Sequence, residues 1–294
     1  MTTERKYRTA AGMRAALEER LNRTAGETGV DIMKLRRHVA FDRLCARLFA
    51  KETNDLIVKG GYALELRLKN ARTTRDIDIS FKGNAGGVWT GQKTADPESL
   101  RDFLQASAAV DRNDFFEYVI GKAVLDLENA PCGGGYRFPV EVRMAGRIFI
   151  RFELDCAAGD AWMEPHETVQ PYDWLGFAGI EAPKIPVISA EQQFAEKLHA
   201  YTLPRQTPNS RVKDLVDLLI LVRTGAMDPE KVKKAAATTF NRREKQPFPP
   251  VFPGPPDNWT LPFRKLISEC AITIEIGPAV SEIKKYCLGC GSIR

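Results

Sequence analysis

Apolar residues fall three and four apart along residues 32–51, where Leu35, Val39, Phe41, Leu44, Cys45, Leu48 and Phe49 are interleaved with basic side chains. That spacing predicts an amphipathic helix, with the basic side chains on a solvated face. A second helix is predicted before it, over residues 10–22. Leu56-Ile57-Val58 reads as a short buried strand and residues 62–68 as a helical stretch. Residues 75–81 switch to a period of two and predict a strand with Ile77, Ile79 and Phe81 facing a core. Residues 83–91 read as a loop, residues 97–109 as a helix, and residues 118–127 and 138–144 as short segments. Residues 147–156 alternate again, with Ile148, Ile150, Phe152 and Leu154 on one face and Arg151, Glu153 and Asp155 on the other.

Beyond Pro183 and Pro186 the pattern turns helical. Ser189 and Gln192 form a capping box for a helix reaching Tyr201. Residues 211–224 predict a helix that Gly225 closes, and Asp228-Pro229 starts another. Residues 246–256 hold six prolines and read as a stiff surface loop or linker. Residues 261–268 and 279–286 look helical. The expected organisation is an α/β lobe over residues 1–184 and a mainly helical lobe over residues 185–294.

Composition narrows the class. The chain has 294 residues, 44% hydrophobic and 28% charged, with a formal net charge of +5. These values fit a globular protein that tolerates a polyanionic partner without demanding one. Residues 1–21 are charged throughout and carry no secretory core, and no run approaches a membrane span. The six cysteines are scattered and read as reduced thiols of a cytoplasmic protein. Cys287-Leu-Gly-Cys290 is a single C-x-x-C, and a structural zinc needs more ligands than its surroundings offer. Gly133-Gly134-Gly135 reads as a turn.

The candidate chemistry lies in Asp76-Ile77-Asp78-Ile79. On a strand the two aspartates share one face, where their repulsion favours protonation unless a cation neutralises it. Magnesium suits such a pair. A bare D-x-D is also what an ordinary solvated strand looks like. Its context makes it more specific: a buried strand runs into Lys59-Gly60-Gly61, a helix follows, and the D-x-D strand comes next. Glycines and a helix N-terminus permit close approach of a phosphate.

Further along, the 211–224 helix is apolar nearly all round, so Asp214 and Asp217, three apart, are expected to be buried with partners; Arg211, Lys213 and Arg75 are candidates. Asp217 reads equally as half of a structural ion pair, whereas Asp214, in the first turn, leans towards a functional role. Lys197 sits beside the Phe194, Leu198 and Tyr201 stripe, either snorkelling to water or aimed at phosphates. No Walker loop, G-x-S-x-G or H-E-x-x-H is present.

Val58-Lys59-Gly60-Gly61 through Arg75-Asp76-Ile77-Asp78-Ile79 resembles the first motif of the polymerase-β-like nucleotidyltransferase fold. More narrowly, the chain is similar to the AbiEii and MenT group of nucleotidyltransferase toxins over residues 32–222. Phe152-Glu153-Leu154-Asp155 with Gly159-Asp160 resembles the third-carboxylate strand. Residues 195–200 resemble the lysine helix, and Arg211-Val212-Lys213-Asp214-Leu215-Val216-Asp217 an R-x-K-D-x-x-D helix.

The resemblance implies a polymerase-β-like nucleotidyltransferase lobe with a helical C-terminal lobe. It implies magnesium, or manganese, held by Asp76, Asp78 and Asp155, with Glu153 as the alternative to Asp155. It also implies a nucleoside triphosphate donor held by Lys59, Gly60, Gly61, Arg75 and Lys197, and roles in transfer for Lys197, Asp214 and Asp217. The implied acceptor is RNA, specifically the tRNA 3′ end, and the implied partner is a cognate antitoxin. We expect a cytoplasmic monomer without membrane association. The rival readings are transfer to a small hydroxylated molecule and a non-catalytic binding protein on the same fold.

Overall fold

The computed structural model describes residues 6–50, 55–68, 71–82, 96–127 and 134–294. The expected loop at 83–91, Cys132 and Gly133 fall outside the described residues.

The chain forms two compact units, each assembled from separated stretches. The first comprises Met1–Val58, Arg75–Gly159 and Thr168–Pro186; the second comprises Lys59–Thr74, Asp160–Glu167 and Val187–Arg294. Lys59–Thr74 and Asp160–Glu167 group with the later helices, where Arg72 is paired with Asp217, Asp160 with Arg243, and the Gly60 carbonyl accepts from Gln193.

The first unit starts with α1 (Ala10–Thr28) and α2 (Ile32–Leu48), capped by Thr9 and Asp31. Then come β1 (Leu56–Lys59), α3 (Gly60–Arg67), which belongs to the second unit, and β2 (Asp76–Phe81). Next are α4 (Pro97–Ala108), β3 (Glu117–Ile120), β4 (Leu125–Asp126), β5 (Gly135–Met144) and β6 (Arg147–Ala158). Two short strands, β7 (Glu167–Val169) and β8 (Ile185–Val187), complete a sheet of order β3-β5-β6-β2-β1-β8-β7, with β4 beside β5. The sheet is mixed: β2 runs parallel to β6, while β5 is antiparallel to β3, β4 and β6.

α2 lies on this sheet through Phe41, whose ring meets Phe152 edge-on at 4.7 Å. Its expected solvated basic face is only partly so. Arg43 and Arg47 are buried, because Asp114 supplies a buried carboxylate 2.6 Å from each guanidinium. The alternation predicted for β6 breaks at one point. Between Val142↔Ile150 and Arg143↔Ile148 the register slips, and Phe149 is the extra residue. The bulge turns Phe149 inward and leaves Ile148 42% exposed, opposite to expectation.

The second unit is helical: α5 (Ala190–Thr202), α6 (Val212–Thr224), α7 (Pro229–Arg243), α8 (Thr260–Glu269) and α9 (Ile276–Gly289), joined by α3. Ser189 caps α5 by accepting from the Gln192 N–H, as predicted. α6 is buried from Asp214 to Leu221, forming the centre of the core with Phe194, Phe263 and Ile283. The proline-rich segment is not a linker. Phe252 is buried against Tyr201, with ring centroids 4.7 Å apart, and the Tyr201 hydroxyl donates to the Pro253 carbonyl. Among the described residues no helix is long and apolar enough to cross a membrane, and the five described cysteines are free thiols.

Candidate functional site

Within the first unit, β2 presents the chemistry. Its register with β6 sets Asp76 beside Glu153 and Asp78 beside Asp155. Register partners on adjacent strands point to the same face, so four carboxylates share one face of two strands. The opposite face carries Ile77, Ile79, Leu154 and Cys156, all fully buried, and this burial fixes which way the acids point. β5 extends the row. Arg137 lies opposite Asp155 and grips it through two hydrogen bonds of 2.7 Å, from Nε and Nη2. The same Nη2 lies 3.8 Å from Asp76. These carboxylates hold the Arg137 guanidinium above its ordinary pKa, the Asp155 hydrogen bond foremost. Asp155 is buried, Asp76 and Asp78 are half-buried, and Arg75 just before them is exposed. Glu153 Oε2 is buried and meets no hydrogen-bond donor among the described residues.

Within the second unit, the glycine turn has strict local reasons. Gly60 sits at φ +67°, where a side chain would be strained. A Cβ on Gly61 would lie 2.6 Å from Thr74 Oγ1, so the turn and Thr74 pack against bare backbone. The first turn of α3 has no side-chain cap. Gln193 on α5 donates to the Gly60 carbonyl at 2.6 Å. Its other amide atom accepts from Arg67 at 2.5 Å, and Arg67 also reaches Glu167 and the Ile188 carbonyl. Lys59 is joined to Asp160 and lies 3.8 Å from Glu196; Arg243 meets the same two carboxylates at 2.8 and 3.6 Å. Burial alone would raise the Asp160 pKa, but the two cations hold it below the ordinary range. Glu196 is pushed up, by burial first and by Asp160 second.

The lysine and aspartate helices meet in a third cluster. Lys197 Nζ lies 2.9 Å from both Asp214 and Asp217. Arg72 grips Asp217 through two bonds of 2.8 and 2.7 Å, and Arg211 lies 3.7 Å from Asp214. Asp217 has no exposed surface. Burial would raise its pKa, but Lys197 and Arg72 outweigh this and depress it. Burial likewise opposes the charge on Lys197, and Asp214 and Asp217 outweigh that, raising it. Lys197 therefore does not snorkel to water; its ammonium is part of a buried network.

A family model describing the nucleotidyl transferase AbiEii toxin of type IV toxin–antitoxin systems matches residues 43–273. The chain belongs to this family. No curated protein matches it by sequence. Among solved structures it is similar to MenT4, a nucleotidyltransferase toxin of Mycobacterium tuberculosis H37Rv. That match has 16% identity and a TM-score of 0.54, over 92% of this chain and 97% of MenT4. JHP933 of Helicobacter pylori gives 13% identity and a TM-score of 0.46, over 89% and 93% of the two chains. The likeness to MenT4 is one of fold, and the α/β architecture is that of a nucleotidyltransferase.

For an AbiEii nucleotidyltransferase, the carboxylate face is the place to ask whether a divalent cation fits. The donors are of the right kind: carboxylate oxygens, with Glu153 Oε2 buried and lacking a donor. Asp155, however, is committed to Arg137, and no three acidic, histidine or cysteine side chains among the described residues converge into a metal cluster in this conformation. Asp76 and Asp78 are the residues that fit; Asp155 joins them only on parting from Arg137. Arg72, Arg137, Arg67 and Gln193 were not expected from the sequence, and Arg243 was expected only as an RNA-facing cation. Gly159-Asp160 was noted only beside the third-carboxylate strand, and the others carried no motif that could have flagged them.

Proposed function

We propose that this AbiEii-family chain is a metal-dependent toxin that transfers nucleotide from a nucleoside triphosphate to RNA, at the 3′ acceptor end of tRNA, and so blocks translation and growth. The observation that carries this reading is the row of carboxylates on β2 and β6, with Asp76 and Asp78 paired in register with Glu153 and Asp155. A bound magnesium or manganese ion supplies neutralisation of charge on the α-phosphate and the departing pyrophosphate. Asp76 and Asp78 hold that ion. The 3′ hydroxyl forms its bond to the α-phosphorus as the bond to pyrophosphate breaks. Asp155, or Glu153 in its stead, completes the charge balance or receives the hydroxyl proton.

Gly60, Gly61 and the first turn of α3, which no side chain caps, receive phosphate oxygens, and Lys59 and Arg75 are the cations of this reading. Lys197 serves the phosphates through its ammonium, and Asp214 and Asp217 fix where that ammonium sits. The protein is read as a cytoplasmic monomer with a cognate antitoxin.

For the RNA, α7 offers exposed cations at Lys231, Lys233, Lys234 and Arg242, and Lys245 lies two residues past its end. Arg243 is not among them, being half-buried on Asp160. Replacing those five with glutamine is expected to raise the RNA concentration needed and flatten its salt dependence, with the triphosphate requirement near normal.

The deciding experiment incubates the protein with each of the four labelled triphosphates and total tRNA, with magnesium or manganese. Label on tRNA supports the proposal. Label on a small hydroxylated compound and never on tRNA replaces it with a small-molecule transferase. No label on either, from folded protein with its antitoxin absent, favours a binding protein.

A further inference from the structure

A cavity of about 410 Å³ opens wholly within the first unit, and none of its lining residues belongs to the carboxylate face or the glycine turn. Its volume is in the range of small-molecule sites. Arg43 reaches into its lining from α2 and is 4% exposed. The Arg43 Nε is bound to Asp114 at 2.6 Å and Nη1 donates to the Glu181 carbonyl at a long 3.3 Å. The remaining N–H groups of this guanidinium meet no acceptor among the described residues. Those N–H groups are not sealed in, so they are placed to donate to a molecule in the cavity.

Two further cations, Lys6 and Arg112, line the same cavity and are exposed at it. The loop that presents Arg112 is held in an unusual backbone state: Asn113 and Phe115 lie at φ +57° and +59°, rare for side-chain-bearing residues and rarest for an aromatic one. Between them, Asp114 is fully buried and clamped by Arg43 and Arg47. The clamp keeps the strained loop folded and the Phe115 ring in the cavity lining.

A bare anion does not suit this cavity, because Asp111 and Glu181 also line it. Three cations and two carboxylates in one lining call for a ligand that carries both an anionic group and hydrogen-bond donors. Tyr7 and Phe115 add aromatic surface. A nucleoside phosphate has all three parts: a phosphate for the cations, hydroxyl or amino donors for the carboxylates, and a base to lie on the rings. We infer that this cavity binds a nucleoside phosphate, either free or as one nucleotide of an RNA chain, at a place separate from the transfer chemistry.

The test uses the full chain in EDTA, so that metal-dependent triphosphate binding is silent, and titrates a fluorescent 5′-AMP and a short single-stranded RNA in parallel. Saturable binding is expected, unchanged in Asp78→Asn and weakened at least about tenfold in the double variant Lys6→Glu with Arg112→Glu. These two positions are exposed, so the variant keeps its fold; Arg43→Lys is a second, riskier probe. A photoreactive AMP analogue is expected to label Tyr7 or Phe115. Binding of 5′-AMP assigns the free ligand, and binding of RNA alone assigns a nucleotide within a chain. The inference is overturned if neither probe binds, if the double variant binds normally, if labelling falls only in the second unit, or if inorganic phosphate competes as well as 5′-AMP. Because no metal or turnover is involved, failure here leaves the transferase reading standing, and failure of transfer leaves this site standing.

Discussion

Two pairs of aspartates, on two different elements, illustrate how the same residue type takes opposite roles. Asp76 and Asp78 lie two apart on β2; Asp214 and Asp217 lie three apart on α6. Around the second pair, Arg72, Lys197 and Arg211 approach within 4 Å, so cations exceed carboxylates. On the β2 face, Asp76 and Asp78 stand in register with Glu153 and Asp155, and Arg137 bonds Asp155 and lies 3.8 Å from Asp76. The helix pair is a closed clamp inside apolar packing. The strand pair is half-exposed and rich in negative charge, which is the condition a divalent cation relieves. A row of carboxylates on a half-exposed strand face suits a cation, whereas a carboxylate closed in by arginine and lysine braces the fold.

The contrast breaks first at the strand. Asp76→Asn and Asp78→Asn are each expected to cut nucleotide transfer by at least about a thousandfold while thermal unfolding stays near that of the parent. Near-normal turnover in either variant removes the distinction. At the clamp the sign reverses. Asp217→Ala strands Arg72 and Lys197 in the core and is expected to cost about 3–5 kcal/mol in denaturant unfolding. A stable but inactive Asp217→Ala protein would show that this carboxylate serves the chemistry directly.

Lys197→Ala tests both regions together. It leaves Asp214 and Asp217 to Arg211 and Arg72, so a loss of about 2–4 kcal/mol accompanies weaker triphosphate binding. A fully stable variant would return Lys197 to the solvated position that the sequence also allowed.

The smallest expected effect concerns His199, buried beside Phe240 with its pKa pushed down to about 4, by burial first and by Arg243 second. The unfolded chain takes up this proton near pH 6.5, and the folded one only near pH 4. Stability therefore falls as pH drops through that window, by up to about 3 kcal/mol. His199→Gln is expected to flatten the fall, measured as the denaturation midpoint at pH 7 and pH 5. Equal slopes in the two proteins would exclude the effect.

How much was legible follows from distance along the chain. The orientation of Asp76 and Asp78 needs only the alternation with Ile77, Ile79 and Phe81, and it appears as read. Helix starts at Asp31, Ser189 and Asp228 are local too, each a side chain accepting from an N–H two or three residues on. The burial of Arg43 and Arg47 was not legible, since Asp114 lies 71 and 67 residues away. Arg72 finds Asp217 across 145 residues, and no spacing rule connects them. β7 and β8, three residues each, are too short to show a period, and the Phe149 bulge adds one residue that alternation cannot anticipate.

The strand–glycine–helix–strand order, the face of the D-x-D acids, the apolar α6 and the family resemblance were all readable in the chain, because each depends on neighbours within a turn or a pleat. The tertiary structure alone decided which charges are paired. It put Arg137 on Asp155, Lys197 between Asp214 and Asp217, and Lys59 on Asp160. Ion pairing depends on the distance between charges in space and on the dielectric around them, and both arise only when remote segments pack.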